Sequence, residues 1–170
     1  MNVAKAWFAT FFDGSKQLKI SAACWWILIV SWLPMAAYAQ GLTIINGEKS
    51  QHLVLSDVKQ QADNTVTLFD PYQGREVEVR GIEFRRFLVE QFGEVPPALH
   101  FTTWDDYNVT LGGWEDPNWL MVVEEDGEPL TLRSRGPLRL VERDIGTRDI
   151  AKLREFNDWI WMIRSIEAQW

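Results

Sequence analysis

Residues 158–168 read DWIWMIRSIEA, and this run sets the fold. It is dense in apolar and β-favouring side chains, the composition of a strand buried inside a sheet. A central strand is therefore expected here, with Trp159 and Trp161 serving as core. Such a strand needs neighbours, and the chain supplies candidates on its N-terminal side. Residues 138–141 and 120–123 are short apolar runs, the second with the look of a buried strand. Residues 99–103 form a further strand, led in by the extended connector Val95-Pro96-Pro97.

Further back, residues 83–92 change period. Phe84, Phe87, Leu88 and Phe92 recur at helical spacing, and Gly93 is placed to close the helix. Val77 and Val79 alternate with charged residues as an exposed strand would, and residues 66–69 read as a strand before the loop 70–74. Residues 42–45 are mostly β-branched and followed by Asn46-Gly47, a strong hairpin signal, with 52–55 as the returning strand. Ser56 is expected to cap a short helical turn through Val58. Residues 147–156 are expected to form a short helix with Ile150, Leu153 and Phe156 on one side. Strands outnumber helices and the helices are scattered among them, so the class is α+β, mostly β, around a sheet core.

The first 39 residues are of another kind. Lys5, Lys16 and Lys19 precede an apolar run over 20–33, broken by Pro34, and Ala37-Tyr38-Ala39 provides small residues where a signal peptidase cuts. The run is shorter than the roughly 20 residues needed to cross a bilayer as a helix. The expectation is a Sec-type signal peptide over 1–39, export to the periplasm, and a single domain over 40–170. A retained anchor is the alternative. Cys24, the one cysteine of the 170-residue chain, sits near the start of the apolar run and leaves with it. The exported chain then has neither disulfide nor thiolate. The leader takes three lysines and one acid, leaving 14 basic against 23 acidic residues, a balance of −9. That excludes a basic footprint for nucleic acid.

Two stretches carry candidate chemistry: 101–110, FTTWDDYNVT, and 132–141, LRSRGPLRLV. The first sets Trp104, Asp105, Asp106 and Tyr107 side by side, and the second sets Arg133 and Arg135 around Ser134. An aromatic plane, carboxylates and guanidinium forks can hold a flat polar heterocycle. The same residues also make a solvated turn with surface ion pairs to Glu124, Glu125 or Asp126. In the loop 112–118, GGWEDPN, glycine and proline limit regular structure, and Trp114 and Trp119 flank it. One of them is expected as a lid or partner contact, with Trp114 the leading candidate; folding back onto the core is its alternative. His52 and His100 neighbour no hydrolase-like pattern, and no zinc-ligand spacing is recognisable.

A hairpin ending in LSDV, the helix after VRGIEFRRFL, a DDY segment, a G-x-x-L turn, RSRGPLRLV and WIWMIRSIE follow one another in an order that resembles the molybdopterin-binding domain of sulfite-oxidase-like proteins. The match covers nearly all of 40–170. It is nearest to stand-alone exported versions, pterin-binding regulators of the PruR type that act on membrane enzymes of cyclic-di-GMP metabolism. The resemblance implies a sulfite-oxidase-like molybdopterin-binding fold. It implies a pterin ligand held by Trp104, Asp105, Asp106, Tyr107, Arg133, Arg135, Phe69 and Tyr72, with Asp106 as the carboxylate that accepts the pterin's paired N–H groups. As partner it implies the periplasmic domain of a membrane diguanylate cyclase or phosphodiesterase. The enzymes of the family need a cysteine thiolate on molybdenum, and its position falls near Phe69 to Tyr72, where this chain reads FDPY. A non-catalytic, molybdenum-free role is therefore expected. A molybdopterin-dependent oxidoreductase and a sugar- or protein-binding module are the alternatives.

Overall fold

The computed structural model describes residues 41–170, so the leader expected over 1–39 lies outside the described residues. At the middle of the first sheet runs β10 (Ile163–Gln169), parallel to β1 (Gly41–Asn46) and antiparallel to β5 (Ala98–Thr103). β2 (Lys49–Val54) and β6 (Asn108–Gly112) complete the order β2-β1-β10-β5-β6. The central placement expected for the apolar run holds, but the strand starts only at Ile163. Before it the backbone is committed elsewhere: Ile160 O accepts from Leu140 N–H at 2.7 Å, Trp161 bridges Arg139, and Met162 takes a φ of 59°. Trp159 and Trp161 thus precede the strand.

The second sheet holds β3 (Asn64–Asp70), β4 (Arg75–Glu83) and β7 (Trp119–Glu125) in that order. β8 (Glu128–Pro129) and β9 (Arg139–Glu142) pair with opposite ends of β7. β4 lies between β3 and β7, with Val77 and Val79 buried and Glu76 and Glu78 exposed. The alternation there is that of an inner strand with one covered face, not of an exposed strand. The register slips between Arg80 and Gly81 where β4 meets β7.

At the first hairpin, Asn46 pairs with Lys49, so the two-residue loop is Gly47-Glu48, with Gly47 at φ 59°. This is one residue later than an Asn-Gly turn. Asn46 stays in the strand, and its side-chain oxygen accepts from Trp170 Nε1–H at 2.8 Å. β2 runs directly into α1 (Leu55–Gln60), so Ser56 lies inside the helix and its hydroxyl donates to Asp57 Oδ1 instead of capping. α2 (Phe84–Phe92) buries Phe84, Phe87 and Leu88 and ends as expected, on Gly93 at φ 88° with its N–H given to Val89 O. Residues 147–156 do not form an α-helix. The Glu155 and Asp149 carboxylates accept from the N–H groups of Asp149 and Ala151, competing with helical bonds, and only a 3-10 turn at Leu153–Phe156 results.

Trp114 corrects the expectation of a partner contact. It is 1% exposed, and its ring meets Phe84, Phe101 and Trp119 edge-on at centroid distances of 5.2, 5.4 and 5.1 Å. Its Nε1–H donates to Leu111 O at 2.9 Å, so a buried indole has its polar atom satisfied. Trp119 is buried as well. The loop is open in composition, but its aromatic anchor belongs to the core. Among the described residues, no helix is long and apolar enough to cross a membrane.

Candidate functional site

Three irregular pieces converge beside the two sheets. The first is the turn between β5 and β6. Thr103, itself buried, donates its N–H to Tyr107 O at 3.0 Å, and Asp106 N–H reaches Thr103 O at 3.2 Å. The closed turn puts the Thr103 hydroxyl against Asp105 Oδ1, and this hydrogen bond holds the Asp105 carboxyl below the usual carboxylate range. Asp105 is therefore an anion at neutral pH. The second piece is the long connection from β9 to β10, which brings Asn157, Trp159, Ile160 and Trp161. The third is the turn after β3, which brings Tyr72.

Together these pieces line a cleft of about 360 Å³ bounded by Tyr72, Thr103, Asp105, Tyr107, Asn157, Trp159, Ile160 and Trp161. The size suits a small ligand. Tyr72 and Trp161 meet edge-on at 4.9 Å, and the Tyr72 hydroxyl donates to Phe156 O at 2.9 Å. Burial, reinforced by Asp158, pushes the Tyr72 phenol up, so it remains a neutral donor. The connection is itself clamped. Arg148 donates to both Asp158 oxygens, at 2.7 and 2.6 Å, and to Glu155 O at 2.6 Å. Trp159 Nε1–H donates to Glu142 at 3.3 Å, and burial pushes the Glu142 carboxyl up.

Beneath the cleft lies an ion cluster. Asp70 is 0% exposed and Arg139 2%. Arg139 donates to Asp70 at 2.7 Å and to Glu125 at 2.9 Å, and Arg135 stands 3.2 Å from Asp70. Gln73 bridges the same two acids, reaching Asp70 at 3.0 Å and Glu125 at 2.8 Å. Burial works against the Asp70 anion, but Arg139, Gln73 and Arg135 outweigh it and its carboxyl is held low.

Of the eight residues expected at a ligand, the cleft lining includes Asp105, Tyr107 and Tyr72. Asp106 has a φ of 63° and a side chain 82% exposed, 3.2 Å from Arg164. Trp104 is exposed and outside the lining, with the Arg164 guanidinium 5.9 Å over its ring. Arg133 lies exposed in the 3-10 turn at Leu132–Ser134, and Arg135 is taken by Asp70 and Glu125. Phe69 alternates with the buried Leu68 and Asp70 and so lies on the other face of β3. Sequence reasoning missed Thr103, Asn157, Trp159, Ile160 and Trp161. Of the two tryptophans expected in the core, Trp159 is there, 3% exposed, and lines the cleft as well, whereas Trp161 is only half-buried; the polar pair Asn157-Asp158 just before them is the available sign of a break.

No protein-family model matches the sequence, and no curated protein matches it. Among solved structures, the crystal structure of the sulfane dehydrogenase SoxCD from Paracoccus pantotrophus resembles it with a TM-score of 0.51 and 17% identity. The likeness covers 75% of this chain and 37% of that one, so the chain spans little more than a third of the neighbour's length. It establishes the fold, which is mostly β and sulfite-oxidase-like.

Proposed function

We propose that the protein is a non-catalytic pterin-binding module, acting in the periplasm and passing its occupancy to the periplasmic domain of a membrane cyclic-di-GMP enzyme. The observation that supports pterin binding is the cleft itself. It sets one ionised carboxylate, Asp105, among the rings of Tyr72, Tyr107, Trp159 and Trp161. A pterin has an amine and a neighbouring ring N–H along one edge, which one carboxylate can accept together, and its flat faces suit aromatic walls. Export rests on the leader sequence, and the cyclic-di-GMP partner rests on the resemblance described above.

The fold family also implies molybdenum, and the residues here do not fit it. Where the family's thiolate falls, the chain carries Phe69-Asp70-Pro71-Tyr72, and residues 41–170 contain no cysteine. Asp70 is a hard oxygen donor already committed to Arg139, Arg135 and Gln73.

Titrating the exported protein with an unconjugated pterin and with monosaccharides, while following tryptophan emission, tests the reading. Saturable quenching by the pterin alone is expected, because two indoles line the cleft. Saturation by sugars alone would replace pterin with carbohydrate, and stoichiometric molybdenum in the purified protein would restore the oxidoreductase.

A further inference from the structure

Asp70 is fully buried, and each of its contacts is made within the protein. Oδ1 accepts from the backbone N–H groups of Tyr72 at 2.9 Å and Gln73 at 3.1 Å, fixing the turn that carries the Tyr72 ring. Oδ2 accepts from Arg139 at 2.7 Å, and the Arg139 guanidinium lies 5.9 Å from the Trp159 ring. Arg139 also bridges Trp161 through the backbone. One carboxylate is thereby tied to both aromatic walls of the cleft: to Tyr72 through the turn, and to Trp159 and Trp161 through Arg139. Glu125 completes the arrangement by accepting from both Arg139 and Gln73, with Arg135 3.8 Å away.

We infer that Asp70 is a positioning residue, a buried carboxylate that sets the spacing of the Tyr72 and Trp159–Trp161 walls. Its effect on affinity rests on the pterin reading; its effect on ring placement does not. The test uses exported protein labelled with fluorotryptophan, whose ¹⁹F resonances are assigned by single Trp→Phe changes. In ligand-free Asp70→Asn, the Trp159 and Trp161 resonances are expected to shift or broaden while those of Trp114 and Trp119 hold. Pterin affinity should fall at least tenfold. Unmoved resonances throughout, or equal movement of all of them, would overturn the inference, since the second pattern marks general loosening. Should Asp70→Asn fail to fold, Arg139→Lys serves instead. It keeps a cation beside Asp70 but loses the fork that also reaches Glu125, and the same selective shift at Trp159 is expected. Its absence there overturns the inference equally. If wild-type protein binds no pterin while the selective shift is present, the positioning role stands and the pterin reading falls.

Discussion

Asp105 and Asp106 are adjacent and chemically identical, and the backbone sends them different ways. Asp105 is held by Thr103 at the cleft, whereas Asp106, at φ 63°, turns toward Arg164 and solvent. Asp105→Asn is expected to weaken pterin binding ten- to a hundredfold or more, since bonds to a charged group contribute about 1.5–3 kcal/mol. Asp106→Asn should change it by less than about threefold, because its ion pair is exposed and worth little. Calorimetric titration of the two variants side by side checks this. The family resemblance favours Asp106 as the acceptor, but the cleft is lined by Asp105 while Asp106 is 82% exposed, because a single dihedral decides which one faces the ligand. Trp114 was likewise legible as important and misread in kind. Its burial among Phe84, Phe101 and Trp119 makes Trp114→Ala a cavity-forming change, expected to cost about 3–5 kcal/mol in chemical denaturation with pterin affinity unaltered in the folded protein.

Among the elements, the regular ones were readable and the irregular ones were not. α2 announced itself by spacing and a closing glycine, and β10 by its apolar density. The connection from β9 to β10, which supplies half of the cleft lining, is shaped by Arg148, Asp149, Glu155 and Asp158 binding backbone and one another. No hydrophobic period encodes such bonds, so the segment read as a helix. Gly81 shows the same blindness within a strand. At the β4–β7 register slip, a Cβ there would lie 2.5 Å from Met121 O and 2.9 Å from the Leu120 side chain. Gly81→Ala must push the strands apart, and a loss of about 1–3 kcal/mol in urea unfolding is expected.

Over the molecule as a whole, carboxylates set the response to pH, and they pull in two directions. Hydrogen bonds from Arg86, Arg80 and Arg75 hold Asp63, Glu124 and Asp126 low, and the cluster beneath the cleft does the same for Asp70. A depressed carboxyl contributes stability that is present above its unfolded pKa and lost as pH falls through the folded one. The melting temperature should therefore drop as pH falls below about 4. Glu142 behaves oppositely. Burial raises its pKa, so the stability it brings is complete below the unfolded value and is lost as pH rises through the folded value. Glu142→Gln should gain in melting temperature relative to wild type as pH rises above about 4.3, a trend that differential scanning calorimetry across pH reads directly.

The parallel pairing of β1 with β10 carries a consequence for the order in which the chain is made. β1 pairs with β2, and β5 with β6, as hairpins whose partners leave the ribosome within a few residues of one another. Among the described strands of their sheet only β10 joins these hairpins, and it is synthesised after both. Until Ile163–Gln169 emerges, the sheet is two separate ribbons, each too small to be stable by itself. Its closure must wait for synthesis to run through β10 and then for a search between β1 and β10, more than a hundred residues apart in sequence, the kind of long-range contact that slows folding. A ribosome that stops short of β10 releases a chain in which this sheet cannot form.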